Sequence, residues 1–103
     1  MSEPSPVDLL DVIAFVRVVE TGSIANAAAR LGVAKSIVSR RVSRLETVLG
    51  AQLLTRTPKG TVLTEIGREY HARAGAGLVE LESAQDVVSK LTSEVSGQLR
   101  IQV

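Results

Sequence analysis

The sequence predicts a mainly α-helical domain in which three helices precede a two-stranded hairpin and one long helix. In four segments, apolar residues recur every three or four positions, and glycines stand where the first three segments end. Two short runs rich in Leu, Val and Thr flank a Pro-Lys-Gly turn after the third segment. With 103 residues, 45% of them hydrophobic, the chain is long enough for one small domain.

The composition argues against several other classes of protein. Without cysteine the chain cannot form a disulfide framework or a thiolate metal site, and its one histidine, His71, offers little for catalysis. We find no P-loop, dinucleotide-binding or EF-hand motif, so we predict no enzyme activity, no cofactor and no metal. No apolar run approaches the ~20 residues of a membrane span, and no leader pattern opens the sequence. We therefore expect a cytoplasmic protein.

The first helix is predicted between two local signals. Ser5 is a suitable N-cap with Pro6 in the first turn, and the helical period continues to Glu20. Gly22 supplies the C-terminal stop. The β-branched residues of this segment favour a strand slightly, but strict alternation is absent.

A helix-turn-helix is predicted next. Ser23 caps a second helix over Ile24–Leu31, and Gly32 begins a tight turn. The third helix runs over Lys35–Leu49, and its outer face carries cations and short polar side chains. Two helices joined by a short Gly-containing turn, the second of them basic, are typical of DNA-binding proteins.

A hairpin follows the third helix. The runs Leu53–Arg56 and Thr61–Leu63 flank a turn that carries Lys59 near its tip. A hairpin directly after a helix-turn-helix is a wing, and a cation at its tip can reach the minor groove or backbone of DNA beside the third helix. The sequence thus predicts a winged helix-turn-helix.

The charges are strongly segregated along the chain. Residues 30–60 carry seven basic side chains against the single acid Glu46, whereas both flanks are net acidic and the whole chain is only +1. A solvated helix face is the alternative, but such a face normally mixes both signs. The basic segment favours a polyanion-binding surface.

A long helix is predicted from the cap Thr64-Glu65 to about Val95; it would be ~45 Å long at 1.5 Å per residue and would therefore protrude from the domain. Its three-to-four repeat is typical of a helix–helix seam, so we predict a homodimer through this helix. The predicted seam consists of Gly67, Tyr70, Ala74, Gly77, Leu81, Ala84, Val88, Leu91 and Val95. Residues 96–103 alternate polar and apolar side chains, which predicts a strand and a protein that continues beyond it.

These features together resemble the DNA-binding domain of LysR-type transcriptional regulators. The resemblance rests on the runs Phe15–Ser23, Ala27–Val33, Val38–Arg40, Arg44–Glu46, Leu49-Gly50, Leu53-Leu54, Arg56-Thr57, Leu63–Glu65 and Gly67. It implies a winged helix-turn-helix domain over 7–64 with its helix-turn-helix segment at 23–42, a dimerising linker helix over 65–95, and the start of a carboxy-terminal effector-binding domain at 96–103.

The resemblance also implies which residues bind double-stranded DNA at an operator with an interrupted dyad. The base-reading residues are Lys35, Ser36, Ser39 and Arg40; Arg41 and Arg44 face phosphates; Arg56 and Lys59 belong to the wing; and Ser23 lies where the second helix presents its N-terminus to a phosphate. It further implies a homodimer, and it allows the full-length protein to form a tetramer.

Two residues depart from the family pattern. Ala34 stands where the family often has serine, so the third helix is expected to lack a side-chain cap, at a cost of about 1 kcal/mol. Lys35 stands where glutamine is common, and lysine prefers guanine acceptors or a phosphate to adenine.

Three alternatives stay open at this point. The domain could be a protein-interaction module, or it could belong to another winged-helix group similar to the amino-terminal domain of molybdate-responsive repressors. Arg44 could pair with a carboxylate near Glu46 or with Glu20 and act only structurally.

Overall fold

The computed structural model describes the backbone of residues 6–101 and the side chains of residues 6–95. Within that range the elements are α1 (Leu9–Thr21), α2 (Ile24–Leu31), α3 (Lys35–Leu49), β1 (Leu54–Thr57), β2 (Gly60–Leu63) and α4 (Glu65–Ile101). This order confirms the mainly helical fold with a hairpin between the third and fourth helices.

Local capping signals account for the ends of the first helices. Ser23 Oγ accepts the Asn26 N–H at 3.0 Å, which starts α2. The glycines that follow α1, α2 and α3 are Gly22, Gly32 and Gly50, with φ of 88°, 70° and 68°. This left-handed backbone costs glycine least, so each helix stops there. Helices α2 and α3 have the bounds predicted from the sequence.

The start of α1 differs from the prediction. The helix begins at Leu9, and the Asp8 carboxylate accepts the Leu10 N–H at 2.9 Å as its N-cap. Pro6 therefore precedes the helix and does not lie in its first turn, and the predicted cap Ser5 lies outside the described residues. An aspartate at the N-cap also complements the helix dipole, which explains why it is preferred here.

The hydrophobic core joins α1, α2 and α3 and is closed by the start of α4. Phe15 and Val38 are fully buried between α1 and α3, and Leu53 at the wing root is equally buried. Tyr70 and His71 of α4 lie against the Phe15 ring, with centroids 5.8 and 6.2 Å from it. Burial raises the pKa of Tyr70 above its ordinary value.

One glycine allows α4 to start against the wing. Thr64 Oγ1 accepts the Gly67 N–H at 2.9 Å and donates to the Gln52 carbonyl at 2.7 Å. A Cβ added to Gly67 would lie 2.0 Å from the Leu53 carbonyl oxygen. The absence of a side chain at this position therefore sets where α4 leaves the domain.

Helix α4 is longer than predicted. It spans 37 residues, or ~55 Å, and gives the molecule its longest dimension of 61 Å. The strand predicted over 96–103 is wrong for residues 96–101, which continue the helix, and Gln102 and Val103 lie outside the described residues. Extending an existing helix satisfies backbone hydrogen bonds within the segment, whereas a strand needs a partner edge.

The predicted seam of α4 divides into two parts. Gly67, Tyr70 and Ala74 pack within the domain, so they are not available to a second helix. Leu78, which the prediction omitted, is 6% exposed and continues this packing, whereas Gly77 faces open space. The remaining part is solvent-exposed and is called the exposed stripe: Leu81, Ala84, Val88, Leu91 and Val95.

Candidate nucleic-acid interface

All four residues predicted to read bases lie on α3. Lys35, Ser36 and Arg40 are exposed, and Ser39 and Arg41 are half-buried. The helix begins at Lys35, and its N-cap residue Ala34 makes no side-chain capping hydrogen bond, as predicted. The first N–H groups of α3 therefore have no side-chain partner from the N-cap.

One hydrogen bond joins a side chain of the wing to a side chain of α3. Arg56 on β1 donates from Nη2 to Ser39 Oγ in the second turn of α3. Both side chains come from the predicted set, although 17 residues separate them in the sequence. Because they touch, the Arg56 cation and the outer face of α3 belong to one continuous surface.

The root of the wing is anchored to α3 by Glu46. Its Oε2 accepts the N–H groups of Leu53 and Leu54 at 2.7 and 3.2 Å. The one acid of the basic segment is thus committed to holding β1 against α3. These charge-assisted hydrogen bonds fix the carboxylate at the wing root.

The tip of the wing is ordered by two threonines. In the antiparallel pair, Thr57 lies opposite Gly60, and its hydroxyl donates to the Gly60 carbonyl at 2.9 Å. The Thr61 hydroxyl lies 3.5 Å from the Gly22 carbonyl, which ties the wing to the turn between α1 and α2. Lys59 is exposed at this tip.

Ser23 is committed as the cap of α2 and is half-buried. Its hydroxyl oxygen accepts from Asn26, which leaves its proton to donate. A helix N-terminus with a free hydroxyl donor suits a phosphate oxygen. This geometry agrees with the role that the family resemblance implies for Ser23.

Arg44 differs from the other predicted cations because it forms an internal ion pair. Its Nε and Nη2 donate to the two carboxylate oxygens of Asp11, both at 2.7 Å, and Asp8 Oδ2 is 3.7 Å away. The hydrogen bond from Arg44 to Asp11 and the negative charge of Asp11 raise the pKa of Arg44 above its ordinary value.

The carboxylate partners suggested by the sequence are wrong for Arg44. Glu20 pairs with Arg17 at 2.6 Å, and Glu46 binds the wing root. Sequence reasoning missed Asp11, whose signal was an acid inside an otherwise apolar helix face.

The remaining cations form no salt bridge within the part of the chain that the structure describes; these are Lys35, Arg40, Arg41, Arg56 and Lys59. Their charges are not neutralised internally, so this surface attracts polyanions. In residues 6–101 no three His, Asp or Glu side chains cluster as metal ligands would. No single described helix is long and apolar enough for a membrane span; α1 and α2 would meet that test only jointly, across a 119° bend.

Comparison with known proteins shows that the chain is similar to bacterial helix-turn-helix regulators of the lysR family. Residues 9–68 match the family described as "Bacterial regulatory helix-turn-helix protein, lysR family". Over 96 residues the chain is 48% identical to an HTH-type transcriptional regulator of Xanthomonas campestris pv. campestris (strain 8004), which covers 93% of this chain and 28% of that protein. The chain therefore spans less than a third of that relative's length.

Solved structures show the same likeness. The BenM DBD in complex with benA site 1 DNA aligns with a TM-score of 0.74 and 30% identity, covering 82% of this chain and 98% of that chain. The CbnR DBD–DNA complex aligns with a TM-score of 0.70 and 30% identity, covering 84% and 98%. The family match over residues 9–68 includes α1 to α3 and the wing, and the molybdate-type alternative is not the family that matches.

Proposed function

Because this chain belongs to the LysR family of bacterial helix-turn-helix regulators, we propose that it binds double-stranded DNA in a sequence-specific manner. The family is one of transcriptional regulators and not of enzymes. The observation that carries the proposal is the Arg56–Ser39 hydrogen bond, which joins the wing to the outer face of α3. A helix of this kind enters the major groove, while the wing meets the flanking minor groove or backbone.

The side chains divide into two chemical roles. Lys35, Ser36, Ser39 and Arg40 contact base edges, because they occupy the outer face of the first turns of α3. The second role, binding phosphates, belongs to Arg41, Arg56, Lys59 and the N-terminus of α2 at Ser23. Phosphate contacts supply most of the affinity, and base contacts supply the preference for one sequence.

The protein acts as a homodimer through the carboxy-terminal part of α4. The exposed stripe repeats at three-to-four spacing, with Leu81 48% and Val88 63% exposed, and apolar side chains so placed favour a second helix over water. Because Gly67, Tyr70 and Ala74 are already packed internally, pairing begins near Leu81. Two copies related by a dyad then bind an interrupted dyad operator.

The whole protein senses a small-molecule effector. Two points support this part of the proposal: the family resemblance implies an effector-binding domain on the carboxy-terminal side, and this chain spans only 28% of its matched relative. A domain of that kind also offers the surface for tetramers. Because its target is bacterial DNA, the protein works in the cytoplasm.

The proposal is tested by selecting duplexes from a random pool at fixed salt and measuring their affinity as salt rises. We expect one enriched sequence family and a logarithmic affinity that falls by about 0.9 per phosphate neutralised for each logarithmic unit of salt. Lys59→Gln should reduce this slope, whereas Lys90→Gln, which removes the same charge from α4, should not. A pool that passes unretained at low ionic strength would show that the chain is not a DNA-binding domain.

A further inference from the structure

We infer that the Asp11–Arg44 ion pair orients α3 on α1 and so controls sequence preference without touching DNA. This inference rests on the proposed function, and it assigns Arg44 a positioning role where the family resemblance implies a phosphate contact. The pair links residues 33 apart in the sequence and joins the two helices that form the centre of the core.

The geometry of the pair fixes an angle as well as a distance. Two parallel hydrogen bonds of 2.7 Å connect the planar guanidinium to the planar carboxylate. A bidentate pair of this kind resists rotation, unlike a single contact to a lysine. Arg44 is one helical turn from Arg40, so any change of tilt at Arg44 moves the base-reading face of α3.

The burial of Asp11 makes the pair obligatory. Asp11 is 1% exposed, and a buried carboxylate without a partner carries a large desolvation cost. Arg44 is its only salt-bridge partner among the described residues. The position of α3 at which Arg44 reaches Asp11 is therefore strongly preferred over neighbouring positions.

The same contacts weaken Arg44 as a phosphate ligand. Two donors of its guanidinium are used by Asp11, and Asp8 adds a second carboxylate 3.7 Å from Nη2. The cluster of Asp8, Asp11 and Arg44 carries a net charge of −1, so its local field repels an approaching phosphate. Arg41, on the preceding turn of the same helix, has no such partner among the described salt bridges.

The test compares Arg44→Gln, Asp11→Asn and the double variant on two probes: a duplex selected by the unaltered protein and a shuffled duplex of equal composition. Each single change should lower the affinity for the selected duplex about tenfold. The double variant should lose no more affinity for this duplex than either single variant. The affinity for the shuffled duplex should not change. The salt dependence should keep its slope. Arg41→Gln is the matched control and should weaken both duplexes and reduce the slope by about 0.9.

A loss of folding is separated from a loss of orientation by an apolar exchange. Asp11→Leu combined with Arg44→Met removes the buried charge and its partner together, which proteins often tolerate. We expect this variant to keep its helical circular dichroism at the assay temperature and still to lose preference for the selected duplex. Full preference in this folded variant would overturn the inference.

Two other results would also overturn it, each with a different meaning for the proposed function. If Arg44→Gln weakens both duplexes equally and lowers the salt slope, Arg44 binds a phosphate, and DNA binding by the domain stands. If the unaltered protein selects no duplex, the proposed function fails and the positioning role fails with it.

Discussion

Arg56 of the wing donates a hydrogen bond to Ser39 of α3 across the surface proposed to face DNA. A serine hydroxyl has one donor and two acceptor positions. Because Ser39 accepts from Arg56, its own proton is left to point outward as a donor. The base edge that it meets should therefore present an acceptor, such as O6 or N7 of guanine or O4 of thymine.

Ser39→Ala should relax the preference at one base pair by about 1 kcal/mol, the net contribution of one hydrogen bond. Arg56→Gln should relax the same position, because the hydroxyl loses the bond that orients it, and should also weaken binding to all duplexes. The measurement is duplex selection from a random pool with each variant. Ser43→Ala, an exposed serine of the same helix, is the control. An unchanged consensus from Ser39→Ala would exclude base contact by Ser39.

Lys35→Gln should move the preferred base toward adenine at the position that Lys35 contacts. Glutamine pairs bidentately with adenine N6 and N7, whereas lysine donates to guanine acceptors. Lys35 is exposed at the first turn of α3, so stability should not change. Competition between two duplexes that differ only at that base pair measures the shift. If Lys35→Gln and the unaltered protein prefer the same base, Lys35 contacts a phosphate.

Val88→Glu should convert the homodimer into a monomer, because it places a charge in the middle of the exposed stripe. Val79→Glu is a closely matched control because both valines are 63% exposed. Val79 precedes Val88 by nine residues, which places the two side chains on opposite sides of α4. Sedimentation velocity at micromolar protein gives the mass of each. Equal masses for the two variants would mean that the exposed stripe is not the dimer interface.

Gly67→Ala should destabilise the domain by about 3 kcal/mol, because the new Cβ would meet the Leu53 backbone, which cannot move aside easily. Gly75→Ala, in the same helix, should stabilise it by about 1 kcal/mol, since its Cβ would only touch the His71 ring at 3.8 Å. Chemical denaturation of each variant gives the free energy of unfolding. If both changes stabilise, α4 does not pack on Leu53 as described.

Much of the fold follows from local signals that single residues provide. Ser23, Gly32 and Gly50 define α2 and α3 because capping and left-handed backbone depend on single residues. The predicted start of α1 is three residues too early because Ser5 and Asp8 are both good caps, and the local pattern does not distinguish between them. The carboxy-terminal strand was misassigned because an alternating pattern over a few residues does not distinguish a strand from the end of a long helix.

The order of residue types along the chain is enough to predict the helices, the wing, the segregation of charge and the family. Three other features depend on how distant segments pack: Arg44 faces the buried Asp11, Arg56 reaches Ser39, and Gly67, Tyr70 and Ala74 of the predicted seam are packed within the domain. These contacts join parts of the chain that are far apart in the sequence. Their partners are selected by how the helices pack and by which polar groups that packing removes from water, and neither is encoded in local spacing.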